Sequence, residues 1–202
     1  MKTWYPLTFN LDDIMRKDWV FPKPYSRFMS TYVVNADDIF IPEWLSELRS
    51  RGFVISVTRL FHRGRNHNED VAHVDHFIIK HNRLLSYAKF GINFVIGGSD
   101  SEMVWYELPE HLRPPTDLVI TEEQYDYWVP RNCVEWKMED LGPIVDRCKV
   151  GKQGVLVNVS VPHRIVMGTE PRWCISLRPM HSEWDFNDAF EAMKEKQFLK
   201  QD

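Results

Sequence analysis

Residues 154–179 read GVLVNVSVPHRIVMGTEPRWCISLRP, and this stretch carries the reading of the fold. Two runs within it, GVLVNVSV and RWCISLR, are short and dense in β-branched and aromatic residues, the composition of strands, with Pro and Gly marking turns between them. Successive side chains of a strand point to opposite sides, so Arg172, Cys174, Ser176 and Arg178 share one face. Two arginines alternating with small residues make a poor core stripe, because a guanidinium cannot be neutralised and needs a carboxylate when buried. The face implies an anionic ligand, which the planar Arg fork can hold through two parallel hydrogen bonds.

The same texture reaches back to Gly52. FVISVTRLF, LLSYAKFGINFVIGG, MVWYELP, DLVI, YWVP and VEWKM are strand-length runs divided by turn residues, the pattern of an antiparallel sandwich or barrel. A mainly β fold with flanking helices and a double-sheet, jelly-roll body is predicted. Ahead of it, residues 1–52 read as a wrapping segment. IPEWLSELRSRG holds a helix with Pro42 at its start, Gly52 past its end and Trp44, Leu45 and Leu48 on its apolar face. Behind the body, SEWDFNDAFEAMKEKQFLK predicts a helix capped by Ser182, with Trp184, Phe186, Phe190 and Met193 roughly on one side. The expected organisation is one domain over residues 1–202, with the β core at 53–179 and the C-terminal helix at 180–202. Between Glu110 and Gly154 the chain is polar and broken by proline, which reads as long loops or an insert.

Bulk properties narrow the function classes. The chain has 202 residues, 44% of them hydrophobic and 27% charged, the profile of a globular rather than a disordered protein. A formal charge of −4 supplies no global field for nucleic acid, so no nucleic-acid partner is expected. Three cysteines without CxxC spacing suggest neither a disulfide framework nor a zinc knuckle and fit a reducing compartment. The N-terminus lacks an apolar signal-peptide core and no run of eighteen apolar residues occurs, so a soluble cytoplasmic protein without a membrane partner is expected.

The segment AHVDHF supplies candidate metal ligands. His73 and Asp75, two apart on a strand, project to the same side about 6–7 Å apart along the chain. Two imidazoles and one carboxylate on one face of an ion leave three positions open, as an iron(II) oxygenase requires for a cosubstrate and dioxygen together. His163 is the expected third ligand, because it ends the run GVLVNVSVPH and closure of a sandwich can return such a strand end to the His73 strand. An HxD tripeptide alone arises often by chance. Its meaning here comes from Arg172, nine residues after His163, and Arg178, fifteen after it.

With these residues the chain resembles the iron(II)- and 2-oxoglutarate-dependent dioxygenases, whose pattern of HxD, distal His and downstream Arg is matched by His73, Asp75, His163 and Arg172. The resemblance spans roughly Phe53–Pro179. It implies a double-stranded β-helix, Fe(II) held by His73, Asp75 and His163, and 2-oxoglutarate chelating the iron with its far carboxylate on Arg172. Arg178 competes for that role, and if Arg172 takes 2-oxoglutarate, Arg178 can serve the substrate. A common form of the family has Ser two residues after the Arg, where this chain has Cys174, so the supporting hydroxyl falls to Ser176 or Tyr87. Asn93 matches a position from which relatives direct an amide toward the cosubstrate. The retained Asp75 argues for oxygen insertion or a related oxidation rather than halogenation. The implied reaction uses dioxygen, releases succinate and carbon dioxide, and hydroxylates a C–H bond of an amino acid, another small metabolite or a protein side chain, so a small-molecule or peptide substrate is expected.

Other features are weighed against plainer readings. His62, His67, His76 and His81 flank the HxD and read mainly as loop or surface residues. HRGRNHNEDV has the irregular polar form of a loop at an active-site mouth, with Arg59, Arg63 and Arg65 near it. Either Trp105 or Tyr106 faces the interior. Two rival classes remain open: a cupin-like metalloenzyme that uses the triad without 2-oxoglutarate, and a non-catalytic sandwich in which HVD is coincidental.

Overall fold

The computed structural model describes residues 2–65, 70–80, 83–87, 89–112, 133–179 and 184–200, with the backbone alone at 56, 76–80, 83–87 and 133. The described residues are mainly β and form two antiparallel sheets. The larger sheet runs β1 (Trp4–Asn10), β10 (Gln153–Asn158), β6 (Phe90–Gly97), β12 (Arg172–Pro179), β3 (Ile55–Arg63), β2 (Met29–Val34). The smaller runs β5 (Arg83–Tyr87), β4 (Val71–Lys80), β11 (His163–Val166), β7 (Glu102–Tyr106), β9 (Ile144–Cys148), and β8 (Cys133–Lys137) pairs with β4.

The central strands of the larger sheet are covered on both faces, and period-two alternation assigns a different task to each. One set of side chains, including Leu60, Ile92, Phe94, Leu156, Ile175 and Leu177, is buried in a single apolar cluster with the helices. Against it pack α3 (Pro42–Ser50) through Trp44, Leu45 and Leu48, and α4 (Phe186–Glu195) through Phe186, Ala189 and Met193. Burying each large apolar side chain of this kind contributes about 1.5–3 kcal/mol. Two one-turn helices, α1 (Leu11–Ile14) and α2 (Ala36–Ile39), add Leu11, Ile14 and Ile39 to the same cluster. The opposite set meets the smaller sheet: Val95, Val155, Val157 and Cys174 pack with Met103 and Trp105 of β7.

Several boundaries differ from the sequence reading. Residues 1–52 do more than wrap, since β1 and β2 are the two edge strands of the larger sheet. Their partners lie far along the chain or beyond the two intervening helices α2 and α3, which hides the pairing from local pattern. In the stretch read as loops, Ile144–Cys148 forms β9, an edge strand whose exposed Ile144 and Val145 break the usual alternation. α4 is capped by Asp185 rather than Ser182: the Asp185 carboxylate accepts from the backbone N–H of Asn187 and Asp188, and Asp188 reciprocates to the Asp185 N–H. This reciprocal box satisfies donors at the helix start. DLVI and YWVP, like Ser182 itself, lie outside the described residues. Cys148 and Cys174 are free and buried, and the Cys133 side chain is outside the described set. No described helix is long and apolar enough to cross a membrane.

Candidate metal centre

His163 opens β11 rather than closing the preceding run. Strand β10 stops at Asn158, whose side-chain oxygen accepts from the backbone N–H and the hydroxyl of Ser160, and this turn carries the chain from the larger sheet to the smaller. In the new strand His163 stands directly opposite His73 of β4 on one side and Trp105 of β7 on the other. Cross-strand partners point the same way, so the imidazoles meet with ring centroids 4.5 Å apart. Asp75, two residues beyond His73, brings its Oδ1 to 3.7 Å from His73 Nε2.

One ligand atom from each of His73, Asp75 and His163 lies within 4.8 Å of the others, so the three form a group that could hold a metal ion. Donors bonded to one ion at about 2.1 Å and near right angles sit about 3 Å apart, so holding an ion would require the cluster to tighten rather than to assemble from afar. The His163 Nδ1 lies 2.9 Å from the Val161 carbonyl; with its proton donated there, Nε2 keeps a lone pair for an ion. Burial pushes the His163 imidazole down to about 3, with His73 adding to the shift and Asp75 opposing it, so it is neutral at pH 7.

Asp75 is anchored from the other side. Burial alone would raise its pKa, but the Arg178 guanidinium, His163 and His73 outweigh that and hold it at about 2. Arg178 Nη2 donates to Asp75 Oδ2, Arg178 Nη1 donates to Ser176 Oγ at 2.6 Å, and Ser176 Oγ donates to Asn93 Oδ1 at 2.7 Å. Gly91 makes room for this chain of contacts, because a Cβ there would lie 1.8 Å from Arg178 Nη1. Ser176 and Asn93 are thus members of the network that orients Asp75 through Arg178. The Tyr87 side chain lies outside the described residues.

Arg172 is arranged differently. It is 3% exposed and donates from Nη1 to Ser101 Oγ at 3.0 Å, while the Ser101 hydroxyl donates to the Gly98 carbonyl at 2.6 Å. Cys174 also contacts the guanidinium, and Arg63 stands directly opposite on β3. Burial lowers the Arg172 pKa, Cys174 opposes that and Arg63 reinforces it. Among the described residues Arg172 has no carboxylate partner. The hydroxyl against it belongs to Ser101, which the sequence reading passed over; the signal was the tight GGSDS turn that leads from the end of β6, beside the start of β12, into β7.

Both arginines, the triad and Asn93, Cys174 and Ser176 line one cavity of about 320 Å³ between the sheets. Arg59 and Arg63 of β3 and Glu135 of β8, opposite His73, also line it. Trp105 is the inward aromatic, fully buried, with its indole N–H on the Asn158 carbonyl at 2.7 Å, and it buttresses the His163 strand from the core. Tyr106 instead accepts from Arg164. His62 lies on the helix-side face of β3 against Trp173, with ring centroids 5.0 Å apart. His67 and His81, and the His76 side chain, lie outside the described residues.

Neither a family model nor a curated protein matches this chain. The reading of its function therefore rests on the geometry above.

Proposed function

We propose that the protein is an iron(II)- and 2-oxoglutarate-dependent oxygenase built on a double-stranded β-helix. The strand order supports the fold assignment. Strands β3, β12, β6 and β10 are adjacent in one sheet and β4, β11, β7 and β9 in the other, so the chain repeatedly crosses between the sheets as it winds. The observation that carries the activity is Arg172, a desolvated guanidinium without a carboxylate partner among the described residues, in the same cavity as a His/Asp/His group. A buried guanidinium is costly unless an anion meets it, and a planar fork suits a carboxylate.

The donor set fits iron(II): two imidazoles and one carboxylate, leaving coordination positions open. When bound there with 2-oxoglutarate and dioxygen, iron supplies the oxidation that yields succinate, carbon dioxide and a hydroxylated C–H bond. The protein's own residues prepare that chemistry. His73, Asp75 and His163 hold the ion; Val161 fixes the His163 tautomer; Arg178 holds one Asp75 oxygen, leaving the other for the ion. This engagement of Arg178 favours Arg172 as the anchor of the far carboxylate, with Ser101 steadying its guanidinium. The same anchor disfavours a cupin-like enzyme that has no use for a second anion. Protein loaded with Fe(II) in air, with ascorbate supplied to reduce the second oxygen atom to water, is expected to convert 2-oxoglutarate to succinate and carbon dioxide, and His73→Ala to abolish it. Full turnover by His73→Ala would sink the proposal.

A further inference from the structure

Two crossings of the chain between the sheets run side by side. The turn at 97–101 leads from β6 in the larger sheet to β7 in the smaller, and the turn at 167–171 leads back from β11 to β12; β6 neighbours β12, and β7 neighbours β11. Asp100 ties the two turns together. Its Oδ2 accepts the Thr169 backbone N–H at 2.7 Å and the Thr169 hydroxyl at 2.8 Å. Gly168 admits the carboxylate, because a Cβ there would lie 2.0 Å from Asp100 Cγ. These donors, led by the Thr169 N–H, hold the Asp100 carboxyl below the usual carboxylate range.

Arg172 lies at the junction. Its backbone follows Thr169 by three residues, and its guanidinium donates to Ser101, the residue next to Asp100. The contacts close a ring that runs from Thr169 along the chain to Arg172, across the guanidinium to Ser101, and through Asp100 back to Thr169. Gly98, at φ +55°, brings the same turn against the root of the side chain, where a Cβ would lie 2.8 Å from Arg172 Cβ. A side chain held at root and tip has less rotamer freedom to lose when a ligand meets it.

We propose that Asp100 is a positioning residue for the cosubstrate: by latching the two crossings it holds the Arg172 guanidinium ready for the far carboxylate of 2-oxoglutarate. This rests on reading Arg172 as that anchor. The latch acts through Arg172 rather than through the ion, since none of His73, Asp75 and His163 belongs to either turn. Its sign is distinctive. Removing a negative charge near an anion's anchor by itself tightens binding, whereas loss of the latch weakens it.

The test compares two ligands on Mn(II)-loaded protein without oxygen, read by calorimetry: 2-oxoglutarate, and oxalate, which bites an ion through two oxygens but has no far carboxylate. Asp100→Ala should weaken 2-oxoglutarate at least about fivefold while leaving oxalate and Mn(II) affinity within about twofold of the wild type. Asp100→Asn, which keeps an oxygen for the Thr169 donors, should lose less. In an Arg172→Met background Asp100→Ala should cost 2-oxoglutarate nothing further, because the residue through which the latch acts is gone. Unchanged or tighter 2-oxoglutarate binding in Asp100→Ala would overturn the proposal. So would an equal loss of oxalate, which marks a general structural effect, an equal loss in Asp100→Asn, or the same loss in the Arg172→Met background. If Asp100→Ala does not fold, Thr169→Val carries the comparison, with about a threefold loss of 2-oxoglutarate expected and a loss under about twofold against it. Failure of 2-oxoglutarate to bind the Mn(II)-loaded wild type would refute the oxygenase reading and the role of the latch with it, whereas wild-type binding kept in full by Asp100→Ala refutes the latch alone.

Discussion

Replacing Arg172 by Met should leave the ligand-free protein as stable as before or more so, while removing its response to 2-oxoglutarate. The side chain is 3% exposed, faces Arg63 across the strand pair, and meets a serine hydroxyl and a thiol but no carboxylate among the described residues. Substituting a well-packed apolar chain for buried ionic groups is neutral to stabilising by about 1–4 kcal/mol. That range already includes the lost bond to Ser101, whose hydroxyl keeps its bond to the Gly98 carbonyl. The melting temperature should hold or rise, by about 2–4 °C per kcal/mol for a chain of this size. With cosubstrate the order inverts. Hydrogen bonds to a charged group are worth about 1.5–3 kcal/mol each, so losing two weakens binding by about a hundredfold or more. At a 2-oxoglutarate concentration about a hundred times the wild-type dissociation constant, the ligand stabilises the wild type by about 2.7 kcal/mol. The variant at the same concentration gains about 0.4 kcal/mol or less. Thermal melts with Mn(II), with and without 2-oxoglutarate, read both quantities. A ligand-free variant that loses several kcal/mol, or one that keeps the wild-type ligand shift, would refute the reasoning.

Other perturbations separate the parts of the site. Asp75→Leu takes the Asp75 carboxylate away from the buried Arg178 guanidinium, so metal-free protein should lose about 3–5 kcal/mol in urea denaturation, and adding Arg178→Met should restore most of it; additive losses would contradict the pairing. Gly91→Ala drives a methyl into Arg178 without touching a ligand, so Mn(II) affinity should fall about 10–100-fold, as for other groups that orient a metal ligand; unchanged affinity would show that Arg178 does not position Asp75. Acid should destabilise the metal-free protein in two overlapping windows. His163 is held at about 3, below its unfolded value near 6.5, so the unfolded chain binds the extra proton and stability falls as pH drops from about 6.5 to 3. Asp75 is held at about 2, so its contribution is complete above its unfolded value near 3.9 and is lost as pH falls from there toward 2. His163→Leu should flatten the first window in pH-dependent denaturation, and an unaltered slope would contradict the assignment.

The sequence made the β12 alternation and the HxD spacing legible because both are local: period two needs no knowledge of partners. The helix at Pro42 was readable for the same reason, its start, stop and apolar face lying within one short window. What escaped was set by distance along the chain. Arg178 meets Asp75 across 103 residues and Arg172 meets Ser101 across 71, so the different partners of the two arginines required the sheet order. β1 and β9 are edge strands with irregular register, and β1 includes Pro6, features that blur alternation. Ser176 illustrates the limit well: its face was correctly read from period two, but only pairing with Asn93 on β6 reveals that its hydroxyl serves Arg178.

The most direct test is an oxygen-free crystal structure with Mn(II) and 2-oxoglutarate. The account predicts an ion bonded by His73, Asp75 and His163, the far carboxylate of 2-oxoglutarate on Arg172 beside Ser101, and Arg178 still on Asp75. An ion absent from the three residues, or the carboxylate on Arg178 with Asp75 released, would contradict it.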